Sequence, residues 1–281
     1  MKKEIVARVL YYTGISWICF FISRFFYGAH IRAVNYHSTP ESLAGNFEKQ
    51  LKWYSRWYTN TNLTDLSRFL QSGDWSKRKP GVLLSFDDGK RNNYDIAKPL
   101  LERYGFTGWF FIPAGWVIAS VQEQREFQAL DLPLLDAYPS DRVIVNEEEL
   151  TNLTLNHIIG CHTYSHHRMN ADDSPDTLYK EIVQSKEVLT KLCKVDSGIF
   201  CWVGGEEKHY TRQAALTIKD TGYTYSFTTN TYPILPDESP LKLERTNIEA
   251  DNSLPLLVFQ MSGLMDIFYR GKRKRLKSVF F

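Results

Sequence analysis

The chain has 281 residues, 43% of them hydrophobic and 23% charged, which excludes a disordered segment and suffices for one large α/β domain or two ordinary ones. The net charge is +2, but Arg270-Gly-Lys-Arg-Lys-Arg-Leu-Lys277 carries six basic residues, and without them the remainder sums to −4. A positive balance concentrated at one end excludes a generally basic nucleic-acid binder. Four scattered cysteines (Cys19, Cys161, Cys193, Cys201) form neither a disulfide scaffold nor a Cys-x-x-Cys pair, so a reducing compartment is the simpler expectation. An aromatic share of 14% suits a carbohydrate or membrane surface, and equally a large aromatic core. No internal repeat or low-complexity linker divides the chain, which favours one principal domain.

Residues 1–30 form an apolar N-terminal segment. Val9 to Ser23 holds fifteen residues without a charge, short of the roughly 20 that span a bilayer. Glu4, Arg8 and the lack of an Ala-x-Ala site fit a cleaved signal poorly. The expectation is a helix docked on the domain or lying on a bilayer, hence a cytoplasmic protein peripheral to the inner face of the membrane. Export or a true anchor is the alternative.

From residue 31 strands and helices alternate. Ile31 to His37 reads as a strand. Phe47, Leu51, Tyr54 and Tyr58 share one helical face, predicting a helix over Asn46 to Tyr58, and a short helix covers Leu63 to Leu70. Gly81 to Phe86 is a continuous apolar run, as for a strand buried on both faces. Asn93 to Tyr104 has helical periodicity, Thr107 to Ile112 is a strand, and Pro113 to Val145 breaks the rhythm as a loop insertion over one face. A helix opens at Asn146, a strand follows over His157 to Thr163, and Ser174-Pro175 starts a long helix. Strands over Gly198 to Trp202, Tyr223 to Thr228 and Leu241 to Ile248 complete the set, with helices after Thr211 and Leu254. Repeated strand–helix units imply a parallel sheet, and about seven of them would close into a deformed, TIM-barrel-like (β/α) barrel. The main domain is therefore 31–268, with 113–145 inserted and 269–281 a basic tail. That tail reads either as a solvated, frayed end or as a segment drawn to anionic lipid head groups.

The chemistry gathers at predicted strand ends. Ser85-Phe-Asp-Asp-Gly89 closes an apolar run with two adjacent carboxylates, whose repulsion asks for a neutralising partner, although Asp-Gly also marks ordinary turns. Cys161-His-Thr-Tyr-Ser-His-His167 follows another strand, and a turn of helix would place His162 and His166 on one side. Two imidazoles and a carboxylate commonly hold a catalytic divalent metal, most often zinc. One aspartate would ligate the cation, whose field would keep the other ionised.

These two motifs, Ser85-Phe-Asp-Asp-Gly89 and His162-Thr-Tyr-Ser-His166, resemble the first two of the polysaccharide deacetylase family (carbohydrate esterase family 4, the NodB-homology domain). The similarity runs in order over most of residues 31–265. Asn35-Tyr36-His37 ahead of the Asp-Asp motif resembles the family's permuted branch, with its catalytic histidine at the front. The resemblance implies Asp88, His162 and His166 as metal ligands, with Zn2+ first and Co2+ or Ni2+ as alternatives. It implies Asp87 as general base toward the attacking water and His37 as general acid toward the departing amine. Arg245 would hold Asp87 by a charge-assisted hydrogen bond. A structural role for His37 and a surface ion pair for Arg245 are the plainer readings. Two departures stand out: Phe200-Cys-Trp-Val-Gly-Gly205 lacks the usual Arg-x-Pro, and no late histidine follows His209. His37 and Arg245 would answer for these, while His167 and His209 are left to solvent or supporting roles.

The expected function is metal-dependent removal of N-acetyl groups from an amino sugar of a cell-surface polysaccharide or its lipid-linked precursor. The partners would be an N-acetylated glycan or glycolipid and an anionic membrane surface, with no nucleic acid. The alternatives are a sugar deformylase, an O-deacetylase, and a catalytically silent, membrane-associated glycan-binding protein.

Overall fold

The computed structural model describes residues 2–280; Met1 and Phe281, the ends of the predicted N-terminal segment and basic tail, lie outside the described residues. The strands are β1 (Ile31–Tyr36), β2 (Thr59–Asn60), β3 (Gly81–Phe86), β4 (Gly108–Ile112), β5 (Ile158–Cys161), β6 (Ile199–Cys201), β7 (Tyr225–Thr228) and β8 (Leu243–Asn247). All pair in parallel, and the ladder closes because β1 pairs with β3 on one side and β8 on the other. β2 adds two residues beside the start of β3, leaving a barrel of seven.

Closure makes the two-residue strand period decide what fills the interior. Inward positions near the strand starts are apolar: Ile31, Ala33, Leu83, Trp109, Phe111, Ile199, Phe227 and Leu243 form one buried cluster. Alternate residues, among them Val34, Val82, Leu84, Phe86, Phe110 and Ile159, belong to the larger cluster under the helical layer. Each such side chain removed from water contributes roughly 1.5–3 kcal/mol. Gly160 is needed for space, since a Cβ there would lie 2.6 Å from the Phe111 ring. Further along, the same period brings in Asn35, Ser85, Asp87, His162, Arg245 and Asn247, so the plug turns polar at the carboxyl ends.

Helices follow local signals. Asn62 and Asn146 each form a capping box, with Asp65 and Glu149, and Ser174 caps the long helix with Pro175 at its first position. Boundaries shift by a residue or two from the sequence reading, and Asn93–Ala97 is a π-helical turn continued by the α-helix Lys98–Arg103. The insertion is not a bare loop: it folds into short helices Ala114–Val117, Val121–Phe127 and Leu132–Ala137.

The N-terminal segment is two helices, α1 (Lys2–Tyr12) and α2 (Ile15–Tyr27), bent by 81° at a break where Gly14 takes φ +80°. No single helix among the described residues is long and apolar enough to cross a membrane. Phe20 of α2 is buried against Trp17, Trp53 and Trp57. The basic tail differs from a frayed end: it forms the helix Arg270–Arg275, and Phe280 packs edge-on against Trp202 at 5.8 Å between ring centres.

Candidate active site

Asp87 and Asp88 leave β3 together and point apart. Asp87 keeps the strand's inward phase, and its N–H donates to the Tyr36 carbonyl at 2.9 Å. Asp88 takes φ +71° and Gly89 φ +62°, so the chain reverses and carries the second carboxylate to the β5 side. The opening Asp-Asp-Gly is thus both a tight turn and a pair of carboxylates with separate partners.

Arg245 of β8, fully buried, grips Asp87 in a fork: Nη1 donates to Oδ1 at 2.6 Å and Nη2 to Oδ2 at 2.9 Å. Nη1 also donates to Ser85 Oγ at 2.9 Å. Burial pushes the Asp87 carboxyl up, but the Arg245 guanidinium outweighs it and holds the group below its usual range.

His162 and His166 follow β5, not on a turn of helix as their spacing predicted but on an irregular loop where Thr163 and His166 both take positive φ. Glu181 fixes this loop, accepting from the N–H groups of Tyr164 (3.0 Å) and Ser165 (2.8 Å) and from Ser165 Oγ (2.7 Å). The insertion supports it from the other side. Gly115 N–H donates to the Tyr164 carbonyl at 2.8 Å, and the Trp116 ring lies 5.0 Å from that of His166.

Asp88, His162 and His166 each present one ligand atom within 4.8 Å of the others. His162 Nδ1 donates to the Cys201 carbonyl at 3.0 Å, so Nε2 carries a lone pair. Burial pulls His162 down to about 4, leaving it neutral at physiological pH. Its Nε2 faces Asp88 Oδ1 across 3.6 Å, and His166 Nε2 lies 3.1 Å from the same oxygen. That oxygen is buried without a hydrogen-bond partner, whereas Oδ2 has Lys90 at 3.3 Å. A lone pair set against an orphaned carboxylate oxygen is repulsive until a cation stands between them, so the residues fit a divalent metal. Asp87, His162 and Cys201 also converge, but Arg245 occupies both Asp87 oxygens and burial holds the Cys201 thiol well above its usual range.

His37 follows β1 on the far rim of the same cavity. Its Nδ1 meets Glu249 Oε1 at 2.6 Å, and its N–H donates to Glu249 Oε2 at 3.3 Å. Burial pulls the imidazole down, but Glu249 outweighs it and raises it to about 9. Glu249 went unnoticed in the sequence; its only signal was an acid just past the last strand, in Glu244-Arg-Thr-Asn-Ile-Glu249.

The structure thus brings Asp87, Asp88, His162, His166, Arg245 and His37 around one cavity of about 440 Å3. Trp202, Gly204 and Gly205, from the stretch lacking Arg-x-Pro, line one wall with the next residue, Glu206, and the tail supplies Tyr269 and Lys272. His167 is turned to Asp173 at 2.9 Å and His209 to the Met169 carbonyl at 2.9 Å, both in supporting positions.

The family model described as polysaccharide deacetylase matches residues 75–226, more than half of the chain. That span holds Asp87, Asp88, His162 and His166 but not His37, Arg245 or Glu249. The poly-beta-1,6-N-acetyl-D-glucosamine N-deacetylase of Staphylococcus aureus is 22% identical over 262 residues, covering 89% of this chain and 81% of that protein. YxkH of Bacillus subtilis, named as a candidate polysaccharide deacetylase, is 24% identical over 204 residues; the match covers 72% of this chain but only 63% of that relative's length. Among solved structures, the Streptococcus pyogenes deacetylase PplD superposes with a TM-score of 0.66 at 19% identity, covering 83% of this chain and 98% of that one. IcaB from Ammonifex degensii gives 0.62 at 16% identity, over 84% and 98%. At these identities the structural likeness speaks for the barrel.

Proposed function

The chain belongs to the polysaccharide deacetylase family, and from that premise we propose that it hydrolyses the N-acetyl groups of an amino sugar in a cell-surface polysaccharide or its lipid-linked precursor. The observation that carries this reading is a carboxylate with no place in the ligand cluster: Asp87 sits beside Asp88, His162 and His166, held ionised by Arg245. Binding a sugar or a metal alone requires no such spare base.

Asp88, His162 and His166 would hold the divalent cation, with zinc first and cobalt or nickel as alternatives; when bound it supplies Lewis-acid polarisation of the amide carbonyl and of water. Asp87 accepts the proton of the attacking water, and Arg245 keeps both its oxygens aimed. His37, protonated through Glu249, faces the same cavity and donates a proton to the nitrogen as the C–N bond breaks. The products are acetate and a free amino sugar. Asn35 lies beside the same cavity, its amide donating to Asn247 Oδ1 at 2.9 Å. The name of the Staphylococcus aureus relative supports N-acetylglucosamine as the sugar. The reading also includes a location at a membrane surface, with α1 and α2 as the contact.

The test is acetate release from an N-acetylglucosamine oligomer. Chelation followed by desalting should abolish it and zinc or cobalt should restore it. An unchanged rate after complete metal removal refutes the mechanism, and formate in place of acetate moves the substrate to a formamido sugar.

A further inference from the structure

The apolar N-terminus and the basic C-terminus, far apart in sequence, meet in space. Tyr27 at the end of α2 donates to Asp266 Oδ2 at 2.9 Å. Gly263 approaches Ser23 so closely that a Cβ would lie 2.7 Å from the serine Cβ. The short helix Leu264–Phe268 is therefore a direct neighbour of α2.

This composite carries the molecule's apolar exposure. More than half of the large apolar side chains left exposed among the described residues fall within 5–26 and 267–268. On α2, Ile15, Ile18, Ile22 and Phe25 recur at helical spacing along the outward side, while Ser16 and Phe20 face the protein. Phe25, Phe26 and Phe268 are 83, 79 and 75% exposed. A helix apolar on both sides, bent into a wedge with α1, is costly in water unless something covers it.

Charge identifies the cover. Tyr27 and Ile267, at the margin of the apolar face, also line a cavity of about 550 Å3. Its other walls carry Lys242, Arg270, Arg273, Lys274 and Lys277. Arg273 is held by the carbonyls of Thr231 (2.7 Å) and Asp266 (2.6 Å), whereas Arg270, Lys274 and Lys277 form no ion pair among the described residues. Three carboxylates border the space. Asp266 is neutralised by Arg32 at 2.7 Å, Glu244 is turned to Thr228 Oγ1 and the Asn230 N–H, and Glu238 remains. An apolar wedge beside free cations matches the layered chemistry of an anionic bilayer, acyl chains below and phosphates above.

We propose that α1, α2 and the Ile267–Phe268 edge dock this protein on an anionic phospholipid surface, with a head-group phosphate seated in the Lys242–Arg270–Lys274–Lys277 cavity. This rests on the membrane-surface part of the reading above and not on deacetylation. Tyr269 and Lys272 of the same C-terminal segment line the catalytic cavity, so docking would bring that cavity beside a lipid-borne glycan.

The experiment is co-sedimentation of the full chain with phosphatidylcholine vesicles, with and without about one-quarter phosphatidylglycerol. Binding should require the anionic lipid. The double variant Lys274→Glu, Lys277→Glu should weaken it at least thirtyfold, the effect of two basic side chains near such a surface. Phe25→Ser with Phe26→Ser should weaken it comparably, and because both rings are exposed, circular dichroism should stay unchanged. Equal binding to neutral vesicles, no binding to either, or binding indifferent to both variants overturns the proposal. So does a dimer in solution abolished by Phe25→Ser with Phe26→Ser, which assigns the face to a second copy, or resistance to alkaline extraction, which assigns the helices to a broken span. Acetate release from a soluble oligomer is read in parallel; its loss with binding intact counts against the deacetylation reading alone.

Discussion

Glu249→Gln is the sharpest test of the proposed acid. The substitution keeps an acceptor for His37 Nδ1 at the 2.6 Å contact and removes the charge. In the native protein burial lowers the imidazole, and Glu249, with smaller help from Asp88 and Asp87, lifts it to about 9 from an ordinary 6.5. A cation at Asp88 offsets those smaller contributions, so the alkaline limb of kcat/KM in the loaded enzyme should fall between these two values. Without Glu249 it should drop to about 6.5 or below. The sign follows from the role: a general acid works while protonated, so a lowered limb costs activity at high pH and spares it at low pH. For a limb moved from about 9 to about 6.5 the protonated fraction falls about thirtyfold at pH 8 and less than twofold at pH 6, and the loss at pH 8 is smaller where the native limb lies lower. The assay is acetate release from pH 5.5 to 9.5, with metal content checked for both proteins. Superimposable alkaline limbs would refute the pairing, and an equal loss at every pH would point to distortion instead.

Two further substitutions separate the roles within the cluster. Asp87→Asn should retain metal in elemental analysis and lose activity by at least about a hundredfold; His162→Ala should lose both, and a metal-free Asp87→Asn protein would place that residue among the ligands. Gly160→Val tests the barrel plug: its side chain must displace the Phe111 ring or the Ile199 carbonyl, 2.6 and 3.1 Å from the first added carbon. Overpacking of roughly 1–3 kcal/mol should lower the melting temperature by several degrees in calorimetry.

Much of this was legible in the chain because it rests on local signals. Gly81 to Phe86 gave a buried strand, the Asp-Asp-Gly run its turn, and the alternation of elements a closed parallel barrel. Sequence spacing misjudged the His162–His166 connection: four residues suit a turn of helix, but the positive φ of Thr163 and His166 depends on Glu181, sixteen residues beyond Ser165. Glu249 was silent for a related reason, since its partner lies 212 residues away and no short-range pattern encodes such a pair. The insertion read as a loop over one face, yet Trp116 and Gly115 act as a brace for the second histidine. Composition described the tail as loose charge and overlooked Leu276 and Phe280, two buried side chains that pin it down.

The seam between β1 and β8 separates the site into halves with different dependence on folding. The candidate ligands Asp88, His162 and His166 come from neighbouring walls around β3 to β5, whereas His37 and Glu249 are contributed by the first and last staves. Arg245 and Glu249 both belong to the last stave, so a molecule whose β8 had not joined the barrel would keep Asp88, His162 and His166 on their own walls but leave Asp87 without its guanidinium and His37 without its carboxylate.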